Sequence, residues 1–297
     1  MLRRREFLAT LSCAPLAAGA AGYEPVIAAQ AYIFSQVYAM HGQKIDDHFS
    51  EVFETLKEAG FHTLELVSQF FAPDVVTNTA QTLMLSRMKC PVVYNGGVMH
   101  TADGAKQTIQ ETVALAKRVK AVGPLELINF NANPKPNKEP KTDAELALQA
   151  ESLNRLAKDL KKTGVRLMLH QHDAEMAQDA REWRHMLKNT DPKLVEICLD
   201  VHWVLRGGQD PMTLLKEAAP RLAALHLRNS QKGVWTEAFG EGEVDYTAVA
   251  AFLKQGAFHG YLVVELAYDK ETQMTKSLEV NLKSSREYAE KVFEVKA

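Results

Sequence analysis

Between residues 26 and 293 the hydrophobic positions switch repeatedly between two spacings. Short apolar runs, uninterrupted or alternating every second residue, read as strands. Longer runs with apolar residues about every 3.6 positions read as helices. The strand-like runs cover residues 26–34, 63–67, 91–94, 125–131, 165–169, 194–200, 222–228 and 262–266. Helix-like runs fall between and after them: 47–59, 77–87, 104–120, 142–162, 178–188, a helix opening at Asp210-Pro211, 247–255 and 277–293. In the first helix Phe49, Val52, Phe53, Leu56 and Ala59 share one stripe, and Gly60 follows as a C-cap. Thr142 and Glu145 have capping-box spacing, Pro211 suits the first helical position, and Asp245 can cap the helix after it.

Eight strand–helix units with short, wholly apolar strands imply a parallel sheet buried on both faces. The fold class expected is α/β, a closed (β/α)8 TIM barrel. Such barrels run to about 250 residues, and this chain is long enough to make one. A doubly wound open sheet is the alternative. It needs a phosphate-binding glycine loop after the first strand, where Ser35-Gln36-Val37-Tyr38 stands instead. The stretch from Pro134 to Pro140 is rich in Pro and Lys and could join two domains. The capped helix directly after it makes it a long loop inside one domain, residues 23–297.

The strand ends carry the chemistry. In a strand, residues i and i+2 share a face, so His170 and His172 point the same way at the end of the fifth run. Two imidazoles there serve as metal ligands or as polar plugs. The next three runs also end in ligand-type residues: Asp200 and His202, His226 and Arg228, and Glu265. In a barrel these ends converge on one mouth. Divalent metals take imidazole and carboxylate ligands from separate rigid elements, so His170, Asp200, His226 and Glu265 form the expected metal set. Asn129 and Asn131 share a face at the fourth strand end and suit sugar hydroxyls or strand capping. Glu65 closes the second run, and Glu175 stands five residues past His170 as an acid/base candidate or as a carboxylate at a helix start. Trp203 and Arg206 can line a pocket.

Composition narrows the function little. The chain is 46% hydrophobic and 24% charged with a net charge of −2, which offers no electrostatic footprint for nucleic acid or an anionic membrane. No apolar run reaches the roughly 18 residues that span a bilayer. The N-terminus departs from the pattern. Arg3-Arg4-Arg5 precedes an Ala-rich apolar stretch and Ala18-Gly19-Ala20, the layout of a secretory signal over residues 1–22. Arg4-Arg5-Glu6-Phe7-Leu8 resembles the bacterial twin-arginine motif, which implies export of a folded protein to the periplasm. Residues 1–20 hold three arginines and one glutamate, so their removal takes the charge from −2 to −4. Of the three cysteines, Cys13 lies in this leader. Cys90 and Cys198 sit on distant strand-like runs, so both are expected as buried thiols rather than a disulfide.

Four motifs resemble one superfamily. They are His170-Gln171-His172-Asp173-Ala174-Glu175, Asp200-Val201-His202-Trp203-Val204 with Gly207 and Asp210-Pro211, Leu225-His226-Leu227-Arg228-Asn229, and Phe239-Gly240-Glu241-Gly242-Glu243-Val244-Asp245. Together they are similar to the sugar phosphate isomerase/epimerase, or xylose-isomerase-like, superfamily over roughly residues 24–293. The resemblance implies a TIM barrel with one divalent metal held from strands five to eight. Asp200, His226 and Glu265 match that pattern directly. His170 stands where Glu is common, Arg228-Asn229 where Lys-Asp is common, and His202 where Tyr is frequent.

The expected activity is metal-dependent isomerisation or epimerisation of a sugar or keto-sugar. The metal polarises the carbonyl and steadies the enediolate formed on α-proton removal. Glu265, Glu175 and His202 are the catalytic candidates; Asn129, Asn131, His172, Arg228 and Trp203 are the substrate-binding ones. β-Elimination shares the first step and stays open. Metal-assisted phosphodiester hydrolysis calls for more carboxylates and a basic groove, which the acidic mature chain does not suggest. A non-catalytic sugar-binding barrel is the remaining alternative. The expected partner is a small carbohydrate, with no nucleic acid and no membrane in the mature form. The sequence leaves the oligomeric state open. One imidazole in place of a carboxylate tilts the metal preference toward Mn, Co, Zn or Fe over Mg.

The export reading has a direct check. Replacing Arg4 and Arg5 with lysine is expected to leave unprocessed precursor in the cytoplasm, followed by fractionation and immunoblotting. Normal processing of that variant would point to another route.

Overall fold

The structure is a computed structural model and describes residues 22–297. The segment expected as an export signal, residues 1–22, lies outside the described residues apart from Gly22. Eight parallel strands close a barrel: β1 Val26–Gln30, β2 Thr63–Val67, β3 Lys89–Gly97, β4 Leu127–Ala132, β5 Arg166–His170, β6 Val195–Asp200, β7 Leu222–Leu227 and β8 Tyr261–Val264. Each strand pairs with its sequence neighbours, and β8 pairs with β1 to complete the ring. The closed ring settles the choice between the barrel and the open sheet.

Two apolar layers hold it. The larger lies between the outer strand faces and the helices, with Phe53, Leu56, Leu64, Phe130, Leu153, Leu199 and Leu262 among its buried members. The smaller fills the barrel itself with Val92, Leu127, Met168, Cys198, Ala223 and Ala224. Period-two alternation then decides what lies above that plug. Two residues beyond Leu127, Met168, Cys198 and Ala224, on the same faces, stand Asn129, His170, Asp200 and His226. The inward-facing column therefore turns from apolar to polar toward the C-terminal mouth.

The helix starts follow their caps. Thr142 and Glu145 form the reciprocal capping box of the helix Asp143–Lys161. Asp210 and Asp245 accept backbone N–H bonds at the starts of Pro211–Ala218 and Tyr246–Gln255. Three features differ from expectation. The first strand stops at Gln30, and Tyr32–Met40 is a helix that buries Ile33 and Phe34. Apolar residues continue across strand and helix with only Gln30 between them, so 26–34 reads as one strand, although Tyr32 is exposed. A one-and-a-half-turn helix, Val201–Arg206, follows β6, and a hairpin pairs Ser230–Gln231 with Val234–Trp235. Both are too short to show a period.

Gly260 sits where the ring closes. Its carbonyl accepts from Val26 N at 2.9 Å, and a Cβ there would lie 2.1 Å from the Ala223 carbonyl oxygen. Because the obstacle is backbone, relief requires β7 and β8 to shift. Gly260→Ala is expected to lose ~1–3 kcal/mol of stability, read as a lower urea midpoint.

Candidate functional site

The polar layer is anchored on Asp200. Its Oδ1 accepts from the backbone N–H groups of His202 (3.0 Å) and Trp203 (2.8 Å), which caps the helix Val201–Arg206. Its Oδ2 faces the barrel axis and accepts from Arg228 Nη2. The same guanidinium nitrogen donates to Glu265 Oε2. His226 lies between two carboxylates: Nδ1 is 2.9 Å from Glu265 Oε2 and Nε2 is 3.0 Å from Glu65 Oε1. Asn129 Nδ2 braces the floor, 3.2 Å from both Glu65 oxygens, 3.1 Å from His226 Nε2 and 3.4 Å from Cys198 Sγ. All these side chains are buried.

The charges follow from these contacts. Burial works against ionised Glu265, but Arg228 and His226 outweigh it and hold its carboxyl well below the usual range. Burial pushes the Asp200 carboxyl up to about 6 against the pull of Arg228. Burial also disfavours the His226 cation, yet Cys198, Glu65 and Glu265 raise its pKa well above the usual value. His170 goes the other way. Burial, His226 and His172 hold it well below the ordinary value, so its ring is neutral.

Two groups of described residues bring potential metal-ligand atoms within 4.8 Å of one another. One is Asp200, His226 and Glu265, which matches three of the four expected ligands; the other is His170, Cys198 and His226. Two observations fit a divalent cation here. The donor set combines carboxylate and imidazole from three separate strand ends. In addition, His170 is 1% exposed, and neither of its ring nitrogens has a hydrogen-bond partner among the described residues. Buried polar atoms seldom go unpaired without a reason. Its ring centroid is 4.6 Å from that of His226. Arg228 donates to both carboxylates, so an entering cation shares them with a guanidinium.

A cavity of about 350 Å³ opens above this layer, lined in part by Gln30, Tyr32, Tyr94, His172, Trp203, Arg228, Trp235 and Glu265. Trp203 and Trp235 meet edge to face at 5.1 Å, and the Arg228 guanidinium lies 4.9 Å from the Trp235 ring centre. His172 packs edge-on against His170 and Trp203. Burial lowers its pKa to about 4, so it is neutral at physiological pH.

The structure thus places His172, Trp203, Arg228 and Glu265 on the cavity wall. Asn129, Asn131, Glu175 and His202 are not among its lining residues. Asn129 belongs to the floor network. Asn131 Nδ2 faces the His170 carbonyl at 3.4 Å and Glu175 Oε1 at 3.5 Å. Glu175 sits behind His172, whose backbone N–H it accepts at 3.0 Å. Burial, aided by Glu182, raises its pKa to about 7. His202 is engaged at both nitrogens. The Trp235 indole donates to Nδ1 at 3.0 Å, so the ring hydrogen is on Nε2 and donates to Ser230 Oγ at 2.7 Å. The Ser230 hydroxyl donates onward to Glu243.

Several site residues carry weak sequence signals. Glu65 is a single carboxylate in an apolar run and proves central. Cys198 shares the inward face of Asp200 at i−2, a signal that alternation could have supplied. Trp235 sits in a hairpin too short to read, and Gln30 and Tyr32 lie inside the run taken as one strand.

The description of the xylose isomerase-like TIM barrel family matches residues 53–289. Inosose dehydratase of Geobacillus kaustophilus (strain HTA426) is 27% identical over 147 residues, covering 43% of this chain and 47% of that protein. The chain spans about half the length of the curated relatives it matches. Among solved structures, an L-ribulose 3-epimerase has a TM-score of 0.70 at 16% identity, covering 91% of this chain and 95% of the other. A sugar phosphate isomerase/epimerase from Parabacteroides distasonis ATCC 8503 has 0.69 at 17%, covering 89% and 97%. At such identities the structural likeness is one of fold. The family match, by contrast, spans well over half of the sequence, and this chain belongs to the xylose isomerase-like TIM barrel family.

Proposed function

We propose that this protein is a divalent-metal-dependent enzyme that isomerises or epimerises a sugar or keto-sugar by removing a proton next to a carbonyl. The observation that carries the reading is the convergence of Asp200, His226 and Glu265 beneath an aromatic-walled cavity at the C-terminal mouth. These three hold the ion, with His170 as the fourth donor. When bound, the ion supplies Lewis-acid polarisation of the substrate carbonyl.

The chain's own groups do the rest. Tyr32, Tyr94, Trp203 and Trp235 offer flat apolar faces to the C–H side of a sugar ring, while Gln30 and His172 face its hydroxyls. Arg228 is the one Lys or Arg among the lining residues, and Asp200 and Glu265 already engage it. Among the described residues no uncommitted Lys or Arg lines the cavity, which favours an unphosphorylated sugar. Glu265 lines the cavity as an ionised carboxylate and takes the α-proton. Arg228 faces the negative charge that proton removal creates. Glu175, with a pKa near neutrality, is a second group whose protonation changes in the working range. His202 fixes the orientation of Trp235. β-Elimination is the second reading, favoured by the match to inosose dehydratase. Export through the twin-arginine signal is part of the proposal, as delivery to a saccharide outside the cytoplasm. Among the described residues no helix is long and apolar enough to cross a membrane.

His226→Ala and Glu265→Gln are each expected to bring metal content down to background in elemental analysis of the purified protein. Full occupancy in both variants would remove these residues from the ligand set.

Asp200 and Glu265 carry two negative charges, enough to balance a divalent ion, and imidazole nitrogens suit Mn, Co, Zn or Fe better than Mg. Mn, Co, Zn and Fe, each added back to stripped protein, are expected to stabilise it more than Mg does, read by thermal melting. Equal stabilisation by Mg at equal concentration would contradict the ligand set. His170→Glu is expected to move the preference toward Mg.

Glu175 is 5% exposed, and folding raises its pKa from the usual 4.5 to about 7. The folded state therefore binds the proton more tightly, and this contribution is complete below about 4.5 and lost as pH rises through 7. Stability of the wild type is expected to fall by roughly 3 kcal/mol across that window relative to Glu175→Gln. Parallel pH profiles in denaturant titrations would count against a buried, raised Glu175.

A further inference from the structure

We infer that the barrel contains a second cation site, reaching one step deeper than the first through Cys198, built from His170, Cys198 and His226 and suited to a thiophilic ion such as Zn2+, Co2+ or Cd2+. The three donors come from the adjacent strands β5, β6 and β7, all are buried, and their ligand atoms lie within 4.8 Å of one another. Cys198 precedes Asp200 by two residues on β6, so its sulfur faces the same axis one step further from the mouth. The barrel plug of Val92, Leu127, Met168 and Ala224 surrounds it with apolar groups.

A second observation points to a ligand independently of this clustering. Both ring nitrogens of His170 are buried without a hydrogen-bond partner among the described residues. A ring that serves only as a polar plug satisfies at least one of them. Asn129 also turns its amide nitrogen toward Cys198 Sγ at 3.4 Å, which places a hydrogen-bond donor beside the sulfur.

The donor chemistry sets the ion. Two imidazoles and a thiolate match borderline and soft ions, whereas Mg2+ and Mn2+ prefer the oxygen-rich Asp200–Glu265 group. Loading replaces the thiol proton: the Cys198 S–H bond breaks, a sulfur–metal bond forms and a proton leaves to solvent. His226 belongs to both groups and His170 is also the fourth donor of the first, and serving two ions at once would strip both protons from the His226 ring. The sites therefore compete, and a thiophilic ion in the lower site displaces the ion from the upper one. The imidazole at strand five, in place of the carboxylate common in this superfamily, is what supplies the lower site with its second nitrogen donor.

Co2+ added to metal-stripped full-length protein tests this, because a cobalt–thiolate bond gives a near-ultraviolet charge-transfer band that oxygen and nitrogen ligands do not. The band is expected in the wild type and in Cys90→Ala, and is expected to vanish in Cys198→Ala and Cys198→Ser. Mn2+ binding, followed by electron paramagnetic resonance, is expected to persist in both Cys198 variants, which also shows that they fold. Zn2+ is expected to release Mn2+ from the wild type, and to need about tenfold more to do so in Cys198→Ala. Co2+ uptake with no sulfur band, or a band unchanged in Cys198→Ala, overturns the lower site and leaves the carboxylate site standing. Failure to take up Co2+ at all overturns both.

Discussion

Asp200 ties the site to the fold with one carboxylate. One oxygen caps a helix and the other faces the barrel axis, where Arg228 donates to it. A buried carboxylate is costly unless it is paired and hydrogen-bonded. Asp200 meets that demand with two backbone N–H groups and a guanidinium, none of which can move without disturbing β6, β7 or the helix between β6 and the next loop. Its position is thus set by the same bonds that start the helix Val201–Arg206, and that helix carries Trp203 to the cavity wall. The cap, the charge and the wall share one cause.

The rest of the polar layer extends the same logic. Glu65, Asp200 and Glu265 would repel one another in a dry barrel, and His226 and Arg228 interleave between them. The aromatic wall adds to this. The Arg228 guanidinium lies over Trp235 and beside Trp203, so its charge is met by carboxylates on one side and π faces on the other. Trp235 is in turn held through its indole N–H by His202, and His202 by Ser230. Residues that do not touch the cavity therefore decide the orientation of those that do.

The sequence makes the barrel legible for a physical reason. Parallel strands covered on both faces are apolar throughout, and their ends are marked by abrupt polar residues. Asp200, His226 and Glu265 stand out because each closes such a run. What alternation reports less well is depth. Asn129 and Asn131 share the inward face with the site, yet Asn129 ends up in the floor and Asn131 beside the His170 carbonyl and Glu175, because the mouth continues upward on loops such as the hairpin carrying Trp235. Glu175 is legible as a carboxylate near a helix start, but its pKa near neutrality comes from burial behind His172, aided by Glu182. His202 reads as a site histidine by position. Its hydrogen bonds come from residues 28 and 33 positions further on, which no local pattern can anticipate.

The neutral ring of strand five and the carboxylate of strand two offset each other in charge. Strand five offers the neutral ring of His170 where a carboxylate is common, while strand two offers Glu65. Glu65 faces the Nε2 side of His226, opposite the side that meets Glu265. A carboxylate behind a ligating histidine orients the ring and raises its basicity, without itself occupying a ligand position. The mouth thus holds three carboxylates, with Glu65 behind His226 and outside the Asp200–His226–Glu265 group. Such a site binds through fewer anions and a stiffer, more basic imidazole. In the proposed reading this favours nitrogen-seeking ions, and His226 is the residue common to both groups of candidate ligands.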